Sequence, residues 1–365
     1  MSDVYFISRR STLNSSLMDK LKKLINKTDI RSVLKENDMV AVKLHFGEPG
    51  LTTFLRPVFV KPFTDLIKEC SARPFLTDAS TIYQGSRANG VEHLEVAIKN
   101  GFSYTVTGAP IIIADGIDGR DCEEVIINKN YYKKVKVAGE THRANAMIVL
   151  SHFKGHEMFS FGGAVKNIGM GLASKEGKLS LHSTSSPYIK IDKCTKCSIC
   201  IKWCPADAIE ISEENAQIND NCTGCGYCIM ACPAHAITLK WDSEFQESLR
   251  RTAEYALGTV EPKRDKIWFF NFLMEITPEC DCYRFSDSAL APDIGILASK
   301  DPVSIDQASY DLVNNAPVLP DSKAEGLKPG EDKFKAAYPK TNPEPLFKHA
   351  EKIGLGERKY KLINI

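Results

Sequence analysis

The strings CTKCSICIKWCP at 194–205 and CTGCGYCIMACP at 222–233 are two copies of one pattern, and they carry eight of the chain's twelve cysteines. Each copy spaces its thiols Cys-x2-Cys-x2-Cys-x3-Cys-Pro, which is the ligand spacing of proteins that hold two [4Fe–4S] clusters. A cubane needs one thiolate per iron, and three cysteines at intervals of three residues wrap three of its corners. The fourth corner is filled from the other repeat, so Cys194, Cys197, Cys200 and Cys232 are expected to hold one cluster. Cys222, Cys225, Cys228 and Cys204 are expected to hold the second.

Zinc knuckles and a disulfide framework are the competing readings of such cysteines. Zinc sites pair one Cys-x2-Cys with a second pair after a dozen or more residues, whereas here three intervals run without a break. The opening MSDVYFISRR lacks the apolar stretch of a secretory signal, and no segment reaches the eighteen apolar residues of a membrane span. The expectation is a soluble cytoplasmic protein in a compartment that keeps thiols reduced.

The duplication extends past the cysteines, CPADAIEI at 204–211 matching CPAHAITL at 232–239. Each half therefore predicts a turn and a short strand that lays apolar side chains over its cluster, a shell that tunes potential by excluding water. This bacterial-type 2[4Fe–4S] ferredoxin-like module, residues 188–240, is a small part of a 365-residue chain. With 43% hydrophobic residues the remainder can bury a full core, and a net charge of +1 gives no footprint for nucleic acid.

Outward from the module, short apolar runs alternate with helical patterns. Strands are predicted near Val4–Ile7, Val40–Leu44, Pro74–Thr77, Ile111–Ala114 and Met147–Leu150, with helices over 14–26, 57–70 and 87–100. After the module come a helix at 243–257, strands near Ile267–Phe270 and Ile294–Ala298, and a helix started by Asp301-Pro302. That alternation predicts an α/β fold, a mainly parallel sheet domain interrupted by the cluster module. Its two parts are placed at 1–187 and 241–316. Residues 317–365 are read as a C-terminal extension, extended to about 342 and ending in a helix near 344–353.

Chemistry in open α/β sheets collects where strands end. Ser151-His152-Phe153-Lys154-Gly155-His156 leaves one such strand, and on an extended backbone His152, Lys154 and His156 share a face. They are the candidates for proton transfer. The glycine-rich stretch FGGAVKNIGMG at 161–171 follows, in which Gly162, Gly163, Lys166 and Asn167 are expected to bind an anionic group through backbone amides and one ammonium. Lys43 and His45 end an earlier strand and point the same way. Asp78 closes another, as a cap or a carboxylate of the site. Cys280-Asp281-Cys282 puts two thiols on one side of an extended segment, as partners for an additional metal or as a redox pair.

The strings VAVKLHFGE, SHFKGH, FGGAVKNIGMG, CDCY and ILASKDPVSIDQA together resemble the family known as domain of unknown function 362, in its ferredoxin-containing branch. The resemblance covers most of residues 35–315 and implies an α/β domain associated with iron–sulfur clusters. It implies no substrate. The resulting expectation is an iron–sulfur oxidoreductase that exchanges electrons with a donor or acceptor protein and a small anionic substrate on the α/β domain, with no nucleic acid and no membrane as partner. The rivals are a non-enzymatic electron-transfer or maturation partner, and clusters with a structural role beside non-redox chemistry. No flavin or nicotinamide fingerprint is present.

Overall fold

A computed structural model describes residues 1–83, 85–182, 187–212, 216–222, 226–238 and 245–365. Seven strands form the central sheet: β1 (Ser2–Ser8), β2 (Met39–Lys43), β3 (Arg73–Thr77), β4 (Ala146–His152), β5 (Ile267–Leu273), β6 (Gly295–Ser299) and β7 (Tyr360–Asn364). Their order is β7-β1-β6-β5-β4-β2-β3, and all run parallel except β6, which is antiparallel to both neighbours.

The strands are apolar throughout because both faces are covered. Ala41, Met147, Val149, Phe269 and Leu297 pack in one core, while the alternating Val40, Val42, Ile148, Leu150, Phe270 and Ile296 pack in another. That is the period of two expected of a pleated strand. Helices α1 (Leu17–Lys27), α2 (Lys61–Glu69) and α3 (Gly90–Lys99) contribute to the second core. Helices α4 (Ala164–Gly169), α5 (Phe245–Val260), α6 (Pro302–Asn315) and α7 (Glu344–Ile353) contribute to the first. Asp301 caps α6 as its sequence predicts, accepting from the amides of Val303 and Ser304.

The expected strand at 111–114 is instead one bridge, Ile111 to Leu76, after which the chain turns at Gly116 with φ +75°. Segment 317–342 contains a short helix, Lys333–Ala337, whose Phe334 is buried against Phe161 and Tyr310. The chain's last strand, β7, closes the sheet edge beside β1. Between β4 and β5 lies the cysteine-rich segment, which contains two small antiparallel pairings, Ile209–Ile211 with Ala216–Ile218 and, joining its two ends, Tyr188–Ile189 with Ile237–Thr238. Among the described residues, no helix is long and apolar enough to cross a membrane.

Candidate functional site

The four adjacent parallel strands β3, β2, β4 and β5 end on one side of the sheet, and a cavity opens there. It is lined by Lys43 at the end of β2 and His45 after it, Asp78 after β3, Ser151, His152 and Lys154 from the end of β4, and Gly162, Gly163, Lys166 and Asn167 around α4. Cys280 and Cys282, from the segment after β5, complete the wall. Strand direction is what gathers them, since parallel neighbours deliver their following loops to the same edge.

The cavity is electropositive. Lys43, Arg87, Lys154, Lys166 and Lys178 line it against one carboxylate, Asp78. Lys43 is 1% exposed, and its ammonium lies 2.9 Å from Asp78 and donates to Asn167 Oδ1 at 2.6 Å. Arg87 pairs with Glu48 at 2.7 Å and stands 3.7 Å from Asp78. Burial alone would raise the Asp78 carboxyl, but the Lys43 ammonium, with the Arg87 guanidinium, holds it below the usual range. Lys166 and Lys178 differ from these. Lys166 faces the Cys280 sulfur at 3.6 Å, and Lys178 donates to the Ala173 carbonyl at 2.7 Å. Burial lowers Lys178 to about 8, so it titrates close to neutrality.

His45 accepts from the Gly47 amide through Nδ1 at 2.9 Å, which leaves its hydrogen on Nε2. Desolvation, reinforced by Arg87, lowers it to about 3, so a neutral imidazole faces the cavity. His93, fully buried on α3, places Nε2 3.7 Å from Asp78 and is likewise pushed down by burial.

His152, Lys154 and His156 converge on the Cys280–Cys282 segment. That segment is a turn and not the extended run expected from its sequence: Tyr283 donates its amide to the Cys280 carbonyl at 3.0 Å. His152 Nδ1 meets Asp281 at 2.8 Å, while its Nε2 meets the carbonyls of Met274 and Glu275 at 2.9 and 3.0 Å. Both ring nitrogens face acceptors, so His152 has no free nitrogen with which to move a substrate proton; it positions the turn. Lys154 supports the same carboxylate at 3.2 Å. His156, Cys280 and Cys282 bring donor atoms within 4.8 Å of one another, the spacing of a three-donor metal site.

The glycine-rich stretch works differently from its sequence expectation. The first amides of α4, from Ala164 and Val165, donate to the two oxygens of Asp306 at 2.7 and 2.9 Å. A Cβ on Gly163 would meet Asp306 Oδ1 at 2.3 Å, so the glycine admits an internal carboxylate at the place where a ligand anion was expected. Lys166 and Asn167 still face the cavity by their side chains. Arg87, Lys178, Glu48 and His93 were not singled out from the sequence, and no spacing marks them. Only the fold brings them to the strand ends.

In the cysteine-rich segment, Cys194, Cys197, Cys200 and Cys232 line one small cavity with Ile189, Ile211 and Ile237. Cys204 and Cys228 belong to the same apolar cluster as Cys200 and Cys232; Cys222 is half-buried, and Cys225 lies outside the described residues. The repeats are alike in detail. Ala208 donates to Cys204 Sγ and Ala236 to Cys232 Sγ, each at 3.2 Å, and Asp207 and His235 both take positive φ, 47° and 50°. Ser198 and Gly226 repeat the left-handed cap before the short helices at 199–202 and 227–231.

A family model described as domain of unknown function (DUF362) matches residues 40–311. The chain belongs to the DUF362 family. The matched span contains every cavity-lining residue named above and the whole cysteine-rich segment. A search of the curated proteins finds no match. Among solved structures, the lactate racemase apoprotein from Thermoanaerobacterium thermosaccharolyticum aligns at 11% identity and a TM-score of 0.37, over 75% of this chain and 51% of that one. A structural-genomics protein from Thermotoga maritima aligns at 12% identity and a TM-score of 0.41, over 81% of this chain and 57% of that one. The DUF362 chain thus spans little more than half the length of either.

Proposed function

We propose that the protein is an iron–sulfur oxidoreductase that exchanges electrons with a small anionic substrate in the strand-end cavity, served by an electron donor or acceptor protein. The supporting observation is adjacency. Ile82 lines the cavity and packs in the same apolar cluster as Cys200, Cys228 and Cys232. The duplicated turns, the sulfur-directed amides and the shared cavity of Cys194, Cys197, Cys200 and Cys232 favour a ferredoxin-type module with two [4Fe–4S] clusters. When bound, each cluster supplies one electron at a time.

The chain's own residues supply binding and proton control. Lys166 and Lys178 offer charge to an anion, and the His45 Nε2 hydrogen offers orientation. Asn167 instead positions Lys43, since its amide already donates to the Leu150 carbonyl and the Ser151 hydroxyl. Lys178, near 8, holds a proton that it can exchange at neutral pH. Ile82, Leu150 and Met170 form apolar wall, which keeps water from competing for these contacts.

The test is anaerobic reduction of the protein with dithionite followed by a screen of anionic carboxylates and phosphates for reoxidation of the visible chromophore. Turnover with one class, reduced about tenfold or more in Lys178→Met, is the expected result. Reoxidation that is indifferent to every small anion, yet rapid with a redox protein, would favour the electron-transfer partner in its place.

A further inference from the structure

Among the groups that the reading above leaves unused, the Cys280–Cys282 turn is the most constrained. The two sulfurs approach to 2.6 Å on one side of the turn closed by Tyr283. Cys280 is buried, Cys282 is half-buried, and both line the cavity. Lys166 directs its ammonium at Cys280 from 3.6 Å.

His156 stands beside both thiols, the three side chains bringing donor atoms within 4.8 Å of one another. Its Nδ1 accepts the Met158 amide at 3.1 Å and lies 3.3 Å from the Glu157 carboxylate. Two sulfurs already in contact, with an ammonium directed at one of them, suit a pair that exchanges between thiol and disulfide, the cation stabilising the thiolate.

We infer that Cys280 and Cys282 are a redox-active pair that cycles between dithiol and disulfide in the cavity wall, with Cys280 the thiolate and Cys282 the thiol of the reduced form. Reduction takes two electrons and one proton: the S–S bond breaks, the proton goes to Cys282, and the negative charge stays on Cys280 beside Lys166 and His156. Oxidation returns the same two electrons to an acceptor in the cavity. The electrons come from two one-electron centres, which is the one point at which the inference rests on the proposed function; a small dithiol can take their place in a test. The hydrogen bond from Cys282, with Lys166 and His156 behind it, holds Cys280 well below the ordinary thiol range. Asp281, pinned between His152 and Lys154, keeps the turn in register.

The pair also sits close to the cysteine-rich segment. Arg284, two residues beyond Cys282, shares a cleft with Cys232, Trp203 and Gly85.

Cleavage after Lys266 and Arg284 isolates Cys280 and Cys282 on one peptide with no other cysteine. The anaerobically purified full chain is equilibrated with mixtures of reduced and oxidised dithiothreitol, alkylated and mapped by mass spectrometry. The expected result is that both thiols of this peptide are protected together, with the mass loss of two hydrogens and a two-electron dependence on poise, while Cys70 and Cys122 stay alkylatable throughout. In Lys166→Met the alkylation of Cys280 at neutral pH slows by about tenfold or more, and its pH profile moves upward. Full alkylation of the 267–284 peptide at every poise would overturn the inference, as would a zinc or iron ion released when either thiol is alkylated. A pair that cycles in protein lacking iron and sulfide would sink only the cluster reading; full iron content with an inert pair would sink only this one.

Discussion

Gly155 has no room for a side chain. A Cβ there would lie 2.3 Å from the Pro278 carbonyl, on the stretch that leads into the Cys280 turn, while the Gly155 amide donates to Thr277. Gly155→Ala therefore must push that stretch outward, and a loss of about 1–3 kcal/mol in urea unfolding is expected. Asp281→Asn removes the carboxylate that His152 and Lys154 share inside the protein, and leaving the buried Lys154 ammonium without its counter-charge is expected to cost about 3–5 kcal/mol. An unchanged unfolding midpoint in that variant would contradict the positioning role given to His152. The alternation of His152, Lys154 and His156 was legible in the sequence; their shared target was not. Asp281 lies 129 residues from His152, and nothing local encodes that pairing.

At the scale of elements, α4 begins against a buried carboxylate. Burial pushes Asp306 up to about 6 from the usual 3.8, although two amides and Asn271 hydrogen-bond it. The folded state thus binds the proton more tightly than the unfolded chain. The contribution of this group to stability is full below about pH 4 and is lost as pH rises through about 6. Unfolding free energies measured from pH 4 to 7 should show that decline, and Asp306→Asn should flatten it at a lower overall stability. Asp78 and Asp281 act in the opposite direction, being held below the ordinary value, so their support is present above about pH 4 and is lost under stronger acid. The glycines before α4 signalled a close approach correctly in kind, but the group approaching is the chain's own Asp306. Strand and helix periodicity located β2, β3, β4, β5, α6 and α7 closely, because both faces of the sheet are buried, Asp301 caps α6 and prolines open both helices. The antiparallel sense of β6 and the edge strand β7 had no such signal. Direction and edge position are set by partners distant in sequence.

For the whole molecule, the arrangement of four parallel strands puts an electropositive cavity at one sheet edge and lays the cysteine-rich segment against it through Ile82 and Arg120. The Arg120 guanidinium stacks over Trp203 and Tyr227 at 5.3 and 4.8 Å. Loss of that bridge in Arg120→Ala is expected to loosen the segment without unfolding the sheet, seen as faster proteolysis within 188–240 at an unchanged global transition. Under the proposed function, affinity for an anionic ligand should fall as pH rises through about 8, where Lys178 loses its proton, and Lys178→Met should abolish that dependence. The electron-transfer reading requires that the repeated cysteines bind iron. The direct measurement is iron, zinc and acid-labile sulfide on anaerobically purified protein: about eight iron and eight sulfide per chain are predicted, with brown colour bleached by dithionite. Colourless protein with zinc bound to these cysteines and no sulfide would contradict the account.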